Sequence, residues 1–337
     1  MARPGPHNLI TDVPGLLVGQ AEDRDGITGT TVVLVEAPAV AAVDVRGGAP
    51  GSRDTELLDP AALVTRIDAI VLSGGSAFGL DAAGGVMQGL ASMGRGFAVR
   101  DVRVPIVPAV ILFDLAFPGR LAWSGEPPYR RLGQEALAHA GRDFALGNAG
   151  AGLGAKAGRI KGGIGSASLR LSDGALGGIT VGALVAVNSW GSVVRPDCGR
   201  LWASDQALAG EIGPQPPVPA APLDPADFSG CAPAAAGANT TIAVVATDAA
   251  LGKAACRRLA IMAQDGLAQA IRPAHTPFDG DTVFALSTGG GEGGEVDPAE
   301  LARLGSAAAG CLARAIMRAV FSADPLGGFP SWRSLWG

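Results

Sequence analysis

The sequence carries little charge and has no surplus of basic residues. Only 17% of its 337 residues are charged, and the formal net charge is −5. A nucleic-acid-binding surface needs clustered lysine and arginine to displace the counterions of the phosphates. No such cluster is visible, so the composition argues against nucleic acid as a partner. With 48% apolar residues the chain is nevertheless typical of a folded globular protein.

Long apolar runs are also missing. The N-terminal segment MARPGPHNLITD lacks the apolar stretch of a signal peptide. The most apolar segment, residues 104–117, is interrupted by Pro105, Pro108 and Asp114 and is too short to cross a bilayer. We therefore expect a soluble, cytoplasmic protein that has no membrane partner.

The sequence shows neither metal-binding nor disulfide spacing. The cysteines form no CxxC pair and the histidines form no HExxH motif; these residues are Cys198, Cys231, Cys256, Cys311, His7, His139 and His275. We expect the cysteines to be buried apolar residues in a reducing compartment, and we expect no metal or organic cofactor. A triad through His275 remains open, although GGSAFG has Phe78 where a nucleophile elbow has its second glycine.

Glycine is abundant, with 51 residues, and it separates short runs rich in β-branched residues. Strands are predicted at TTVVLVEA, AAVDV, IDAIVLS, VPIVPAVILFDL, ITVGALVAVN, SWGSVV, NTTIAVVAT and TVFALST. Helices are predicted at residues 80–94 and 250–271. A closing helix is predicted to start at Pro298, with Asp297 as its N-cap and Glu300 completing a capping box. The pattern indicates an α/β protein.

Residues 213–238 hold seven prolines and show no periodicity, which predicts an exposed linker. The linker ends abruptly at a β-branched run that begins with Thr240. The strands after the linker need partners from the first half of the chain, so we interpret residues 1–337 as one domain with an internal loop.

Thr240 is a candidate nucleophile because a loop meets a core strand there. A threonine hydroxyl needs a base, and a free α-amino group, with a pKa near ~8, can supply one if the threonine is the first residue of a chain. Cleavage of the loop could free that amine, while the strand would hold the new terminus rigidly. Taken alone the pattern is weak, because a threonine that starts a strand usually has a structural role.

The chain resembles the autoprocessing L-aminopeptidase/D-amidase (DmpA-type) family, which includes β-aminopeptidases and 6-aminohexanoate-oligomer (nylon oligomer) hydrolases. The similarity extends along nearly the whole sequence. It is carried by NLITDVPGLLVGQ, VDVRGGAPGSRDTELL, LSGGSAFGLDAAGGVM, VPIVPAVILFDL, GNAGAGLGAK, KGGIGSAS, VGALVAVN, NTTIAVVATDA and HTPFDGDTVFALSTG. The Asn–Thr junction and the Asp–Gly–Asp sequence are more similar to the nylon-oligomer branch than to the aminopeptidases.

The resemblance implies a four-layer αββα sandwich of the N-terminal-nucleophile-hydrolase type. It implies self-cleavage between Asn239 and Thr240 into fragments 1–239 and 240–337. The matching residues are Thr240 as the nucleophile, Asn188 as an oxyanion donor, Lys161 as an active-site cation, and Asp279 with Asp281 as an acidic pair that orients the threonine or binds a substrate amine. The family also uses a tyrosine. The single tyrosine, Tyr129, does not align with it convincingly, and Phe113 is the alternative position.

Two classes of function therefore stay open. The favoured one is hydrolysis of a small amide or short peptide, with 6-aminohexanoate oligomers ranked before peptides of β- or D-residues. The other is a non-enzymatic nucleotide-binding module built on GAGLGA, residues 150–155. The resemblance also implies a homo-oligomer, a tetramer of processed protomers. Trp332 and Trp336 would serve either as interface anchors or in packing of the tail.

Overall fold

The computed structural model describes residues 2–208, 210–224, 226–233, 239–290 and 296–337. The strands are β1 (Leu16–Asp23), β2 (Thr28–Val45), β3 (Ser52–Arg53), β4 (Arg66–Ser73), β5 (Phe97–Val99), β6 (Val102–Val104), β7 (Ala109–Ile111), β8 (Lys156–Ala157), β9 (Ile160–Lys161), β10 (Gly163–Arg170), β11 (Thr180–Asn188), β12 (Thr240–Thr247) and β13 (Thr282–Ser287). The α-helices are α1 (Ala82–Ser92), α2 (Tyr129–Ala138), α3 (Lys253–Ala270), α4 (Pro298–Ser322) and α5 (Trp332–Trp336).

One continuous hydrogen-bonded sheet provides both β layers. Its strand order is β10-β11-β12-β13-β2-β4-β7-β3, and β1 pairs with β2 outside this path. Strand β2 is 18 residues long and has an irregularity between Leu34 and Ala39. Its first half pairs with β1, whereas its second half pairs with β13. Strand β2 therefore continues from one layer into the other.

Three hydrophobic clusters define four layers. One cluster lies between the two halves of the sheet and joins Val33 and Ile70 to Leu184 and Val244. A second lies between β10–β13 and helices α3 and α4, and a third lies between β1, β2, β4 and β7 and helices α1 and α2. Because successive residues of β12 alternate between the first and second clusters, that strand is covered on both faces. The αββα sandwich implied by the resemblance is confirmed.

The unit β12–α3–β13 positions the start of the predicted small fragment. Strands β12 and β13 are parallel, so their N-terminal ends meet at one edge of the sheet. Strand β11 runs antiparallel to β12, which brings its C-terminal end to the same edge. The edge therefore gathers Asn188, Thr240 and the residues that precede Thr282.

Most predicted elements are confirmed, and one strand prediction is wrong. Residues 189–194, SWGSVV, contain only isolated bridges at Ser192 and Val194. Conversely, β10 was not predicted, because its glycines and serines hide the usual β-branched pattern. The predicted start of α4 at Pro298 is confirmed, and the Asp297 side chain accepts hydrogen bonds from the N–H groups of Ala299 and Glu300. Among the hydrogen bonds of the described residues, the return bond from the Glu300 side chain that a capping box requires is not formed, so that part of the prediction is wrong.

The chain segments on the two sides of the predicted cleavage site are interleaved. Strand β12 lies between β11 and β13, and β13 pairs with β2. The described parts of the linker, residues 213–224 and 226–233, form no helix or strand, and most of their side chains are exposed. Residues 225 and 234–238 of the predicted linker lie outside the described residues.

Helix α4 is long and apolar enough to cross a membrane, with 25 residues and a mean hydropathy of 1.3 over its most apolar 18-residue window. However, 72% of its most apolar window is buried inside the fold. That burial is typical of the central helix of a packed core, and α4 contributes many side chains to the cluster under β10–β13.

Candidate active site

Thr240 and Asn188 are direct neighbours across two strands. Thr240 is the first residue of β12 and pairs with Asn188, the last residue of β11. Thr240 is 3% exposed and the preceding residue, Asn239, is 2% exposed. In the continuous chain the candidate nucleophile is therefore closed off from solvent and from any substrate.

Within the described part of the chain, two groups donate hydrogen bonds to the carbonyl oxygen of Asn239. The Thr240 hydroxyl donates a hydrogen bond to it. The backbone N–H of Gly280 donates a second hydrogen bond at 3.1 Å. Sequence reasoning missed Gly280, because a backbone donor leaves no mark in a sequence beyond the absent side chain.

Asp281 holds the residue that follows the nucleophile. Its Oδ1 accepts a hydrogen bond from the Thr241 N–H at 2.9 Å. Its Oδ2 accepts a hydrogen bond from the backbone N–H of His275 at 2.9 Å. The same oxygen is hydrogen-bonded to Nδ1 of the His275 ring, also at 2.9 Å. His275 thus enters the site as a partner of a carboxylate, whereas the sequence offered it only as a possible triad member.

Asp279 holds the turn that follows Asn188 at the end of β11. Its Oδ1 accepts from the Trp190 N–H at 3.0 Å, and its Oδ2 accepts from the hydroxyl of Thr276. Burial and the neighbouring Asp281 carboxylate raise the pKa of Asp279. The two acidic residues therefore bind backbone groups of β12 and of the turn after β11, and both lie beside the predicted nucleophile.

The Asn188 side chain is fully buried and held at both ends. Its Oδ1 accepts from the Lys156 N–H at 3.0 Å, and its Nδ2 donates to the Phe113 carbonyl at 3.2 Å. This contact places the backbone of Phe113 beside Asn188. The assignment of Phe113 to the family's tyrosine position stays a prediction. Tyr129 lies elsewhere, with its hydroxyl 3.2 Å from that of Thr28.

Lys161 is buried, and its ammonium group donates to three backbone carbonyls. The acceptors are Gly152, Ala155 and Gly162, at 2.8–2.9 Å. Burial lowers the pKa of Lys161 to about 7, while the nearby Asp114 carboxylate opposes the shift. These bonds hold the loop that leads to Lys156. Because the Lys156 N–H binds the Asn188 side chain, Lys161 indirectly helps to hold Asn188 in place. The predicted effect of Lys161 on a Thr240 amine stays a prediction.

Asp114 is a buried acid that the sequence analysis did not select. Burial raises the pKa of Asp114 to about 6, although hydrogen bonds from Thr28 and from the Gly75 N–H act to lower it. It directly follows Phe113, whose carbonyl holds Asn188. Asp114 therefore ties the GGSAFG turn to the wall of the site.

The alternative sites lack the features they need. The GAGLGA loop is buried, and a Cβ on Gly150 or Gly152 would lie within 2.3 Å of neighbouring atoms. The loop is therefore packed against its neighbours and leaves no open space for a phosphate group. Burial raises the pKa of Cys256 and of Cys311 to about 12, which makes them inert thiols. Within the described residues, no cluster of three potential metal ligands forms.

Comparison with known proteins identifies the family of the chain and agrees with its fold. The model of peptidase family S58 matches residues 8–332. An uncharacterized aminopeptidase of Mycobacterium bovis is 46% identical over 351 residues, which cover 98% of each chain. A 6-aminohexanoate-oligomer endohydrolase of Kocuria sp. is 30% identical, over 84% of this chain and 76% of the relative.

Solved structures show the same fold. The L-aminopeptidase D-Ala-esterase/amidase of Ochrobactrum anthropi, described as a variant of the Ntn hydrolase fold, superposes with a TM-score of 0.70. It is 20% identical, and the match covers 98% of this chain and 90% of that one. The chain thus has the fold of the Ntn hydrolases. It belongs to peptidase family S58 and is a peptidase or amidohydrolase.

Proposed function

We propose that this enzyme cleaves itself between Asn239 and Thr240 and then hydrolyses small amides with the freed Thr240. The observation that carries the proposal is the contact between the Thr240 hydroxyl and the Asn239 carbonyl in a buried site beside Asn188. A hydroxyl held against a carbonyl is poised for attack, because proximity replaces a bimolecular encounter.

The first reaction is an acyl shift followed by hydrolysis. Thr240 Oγ1 bonds to the Asn239 carbonyl carbon, the carbon–nitrogen bond breaks, and the hydroxyl proton ends on the new α-amine. Water then cleaves the resulting ester and leaves a carboxylate on Asn239 and a hydroxyl on Thr240. One water molecule is consumed, and the products are fragments 1–239 and 240–337.

The second reaction uses the amine that the first one frees. The α-amine of Thr240 accepts the Oγ1 proton during attack on a substrate amide. The Asn188 amide is a neutral donor suited to an oxyanion, since it stabilises charge without titrating. Its contacts with the Lys156 N–H and the Phe113 carbonyl hold the side chain at the end of β11, opposite Thr240.

For the substrate we rank oligomers of 6-aminohexanoate, and related ω-amino-acid amides, first. The Asn–Thr junction and the Asp279–Gly280–Asp281 sequence support this ranking, together with the 30% identity to a 6-aminohexanoate-oligomer endohydrolase. Aminopeptidase activity on peptides of β- or D-residues is the second candidate. It is favoured by the higher identity, 46%, to a relative named an aminopeptidase.

Intact mass spectrometry of the purified protein tests the self-cleavage. We expect two fragments that separate between residues 239 and 240, and a single inactive chain for Thr240→Ala. Thr240→Ser is the matched control, because it keeps a hydroxyl and should still be cut. Two fragments from Thr240→Ala would refute the assignment.

A substrate panel tests the ranking. The mature enzyme is incubated with 6-aminohexanoate dimer and trimer, with a β-alanyl amide and with a D-alanyl amide, and released amine is measured. We expect the highest kcat/KM on the 6-aminohexanoate trimer. A higher value on the β- or D-alanyl amide would replace the first candidate by the second.

A further inference from the structure

The carbonyl oxygen of Asn239 is the atom on which negative charge develops during self-cleavage. Its one backbone donor among the described residues is the Gly280 N–H, at 3.1 Å. Asn239 also forms a parallel bridge with Asp279, which fixes the approach of the two segments. Both segments are buried, so an electrostatic contact there is weakened little by water.

Space, and not backbone conformation, explains why residue 280 is a glycine. Its φ lies outside the left-handed region. A Cβ at this position would lie 2.9 Å from Thr240 Oγ1 and 2.7 Å from the Ala49 carbonyl oxygen. Any larger residue would therefore push against the nucleophile itself. The glycine allows the donor and the hydroxyl to meet at the same carbonyl.

The peptide unit that carries this donor is held from several sides. The Asp279 carbonyl, in the same peptide plane as the Gly280 N–H, accepts from the Ala49 N–H at 2.8 Å. The Asp279 and Asp281 side chains bind the Trp190 and Thr241 N–H groups. The N–H of Ala49, the 279–280 peptide and the Asn239 carbonyl form a hydrogen-bonded chain, in which each bond polarises the next.

We propose that the Gly280 N–H is the oxyanion donor of the self-cleavage reaction; this inference rests on the proposed function. As Oγ1 bonds to the Asn239 carbon, an electron pair moves onto the carbonyl oxygen. The preset N–H stabilises that oxyanion until the carbon–nitrogen bond breaks and the pair returns. The donor needs no reorganisation, which is the condition under which such contacts accelerate a reaction most.

Gly280 and Asn188 lie on opposite sides of Thr240. Gly280 precedes β13, whereas Asn188 ends β11, and β12 lies between these two strands. The site thus presents separate donors, with Gly280 serving the chain's own carbonyl and Asn188 assigned to the substrate. Loss of the Asn188 donor is consequently expected to lower hydrolysis without blocking self-cleavage, whereas a block of self-cleavage prevents both reactions.

The test removes the donor without adding a side chain. Glycolic acid replaces Gly280 by nonsense suppression in cell-free translation, so that an ester oxygen stands in place of the N–H. Self-cleavage of the full chain is followed by intact mass after a translation pulse. We expect the rate to fall by about 10²–10³-fold, the usual cost of losing one oxyanion donor. The same ester at Gly125, where no atom lies within 4 Å of the Cβ position, is the control and should be cut at the wild-type rate.

A second variant keeps the donor and adds the methyl group. We expect Gly280→Ala to slow self-cleavage by about 100-fold, because the Cβ displaces the hydroxyl from its line of attack. Gly125→Ala is the matched control. Circular dichroism establishes that each chain is folded. If the ester variant does not fold, a Gly280→Ala chain that is cut at the wild-type rate overturns the proposal, because the close approach of the Gly280 N–H and the Thr240 hydroxyl to one carbonyl would then not be required. Hydroxylamine, which cleaves an accumulated ester, is expected to leave the slow rates unchanged, since the slowed step precedes the ester.

The outcomes separate the two proposals. A folded glycolic-acid variant that is cut as fast as wild type overturns the role of Gly280 and leaves the proposed function intact. A wild-type chain that stays whole overturns the proposed function, and the role of Gly280 with it. Restoration of the rate by hydroxylamine would also refute the oxyanion role, because it would place the defect after ester formation.

Discussion

At the scale of single residues, the site is made largely of charged side chains that bind backbone groups. Asp279 and Asp281 accept backbone N–H hydrogen bonds, and Lys161 donates to three carbonyls. Such contacts compensate the loss of hydration that burial causes. They also fix the ends of β11 and β12, and with them the position of Thr240.

Asp114 gives a prediction about pH. Burial raises its pKa from 3.8 to about 6, so the folded chain retains a proton that the unfolded chain releases in this interval. The contribution of this group to stability is therefore complete below about pH 4 and is lost as the pH rises through 6. We expect Asp114→Asn to remove this pH dependence of the unfolding free energy, which amounts to at most about 3 kcal/mol.

Urea unfolding at pH 4.5 and pH 7.5 measures the effect of that substitution. The difference in unfolding free energy between wild type and Asp114→Asn should change between the two pH values. Asp101→Asn, at an exposed position, should show no such change. A difference that is the same at both pH values would contradict the raised pKa.

At the scale of elements, the start of α4 gives a prediction about stability. Asp297 accepts hydrogen bonds from the Ala299 and Glu300 N–H groups, two of the free donors of the first turn. We expect Asp297→Ala to lower the unfolding free energy by about 1 kcal/mol. Asp297→Asn should retain nearly all of the wild-type unfolding free energy, because asparagine is an equally good N-cap. Chemical denaturation compares the three proteins, and equal losses in both variants would show that the cap is not responsible.

At the scale of the whole molecule, the topology predicts that the two fragments stay together after cleavage. Strand β12 pairs with β11 over eight residues, and β13 pairs with β2, so the small fragment lies inside the sheet. We expect a single peak in size exclusion and two bands under denaturing conditions. Release of fragment 240–337 without denaturant would contradict this expectation.

The same sample tests the proposed assembly, because native mass spectrometry would report a tetramer of processed protomers directly. Trp332 is fully buried within its own chain, where its Nε1 donates to the Gly199 carbonyl at 2.8 Å. Packing of the tail therefore accounts for this residue, and it is not available as an interface anchor.

The sequence alone determined many of the elements and the candidate nucleophile. Runs of β-branched residues located β4, β12 and β13, and Asp297 with Pro298 located the start of α4. These features are local, since each depends on the conformational preference of neighbouring residues. The change from a proline-rich linker to a buried strand singled out Thr240, and the resemblance supplied its chemical partners.

Only the tertiary structure decided which groups surround Thr240. The contact between Thr241 and Asp281 joins residues 40 positions apart, and the contact between Trp190 and Asp279 joins residues 89 positions apart. The donor at Gly280 could not be predicted at all. Every residue except proline carries the same backbone N–H, so strand register, which depends on the packing of the whole sheet, selects the one that meets the Asn239 carbonyl.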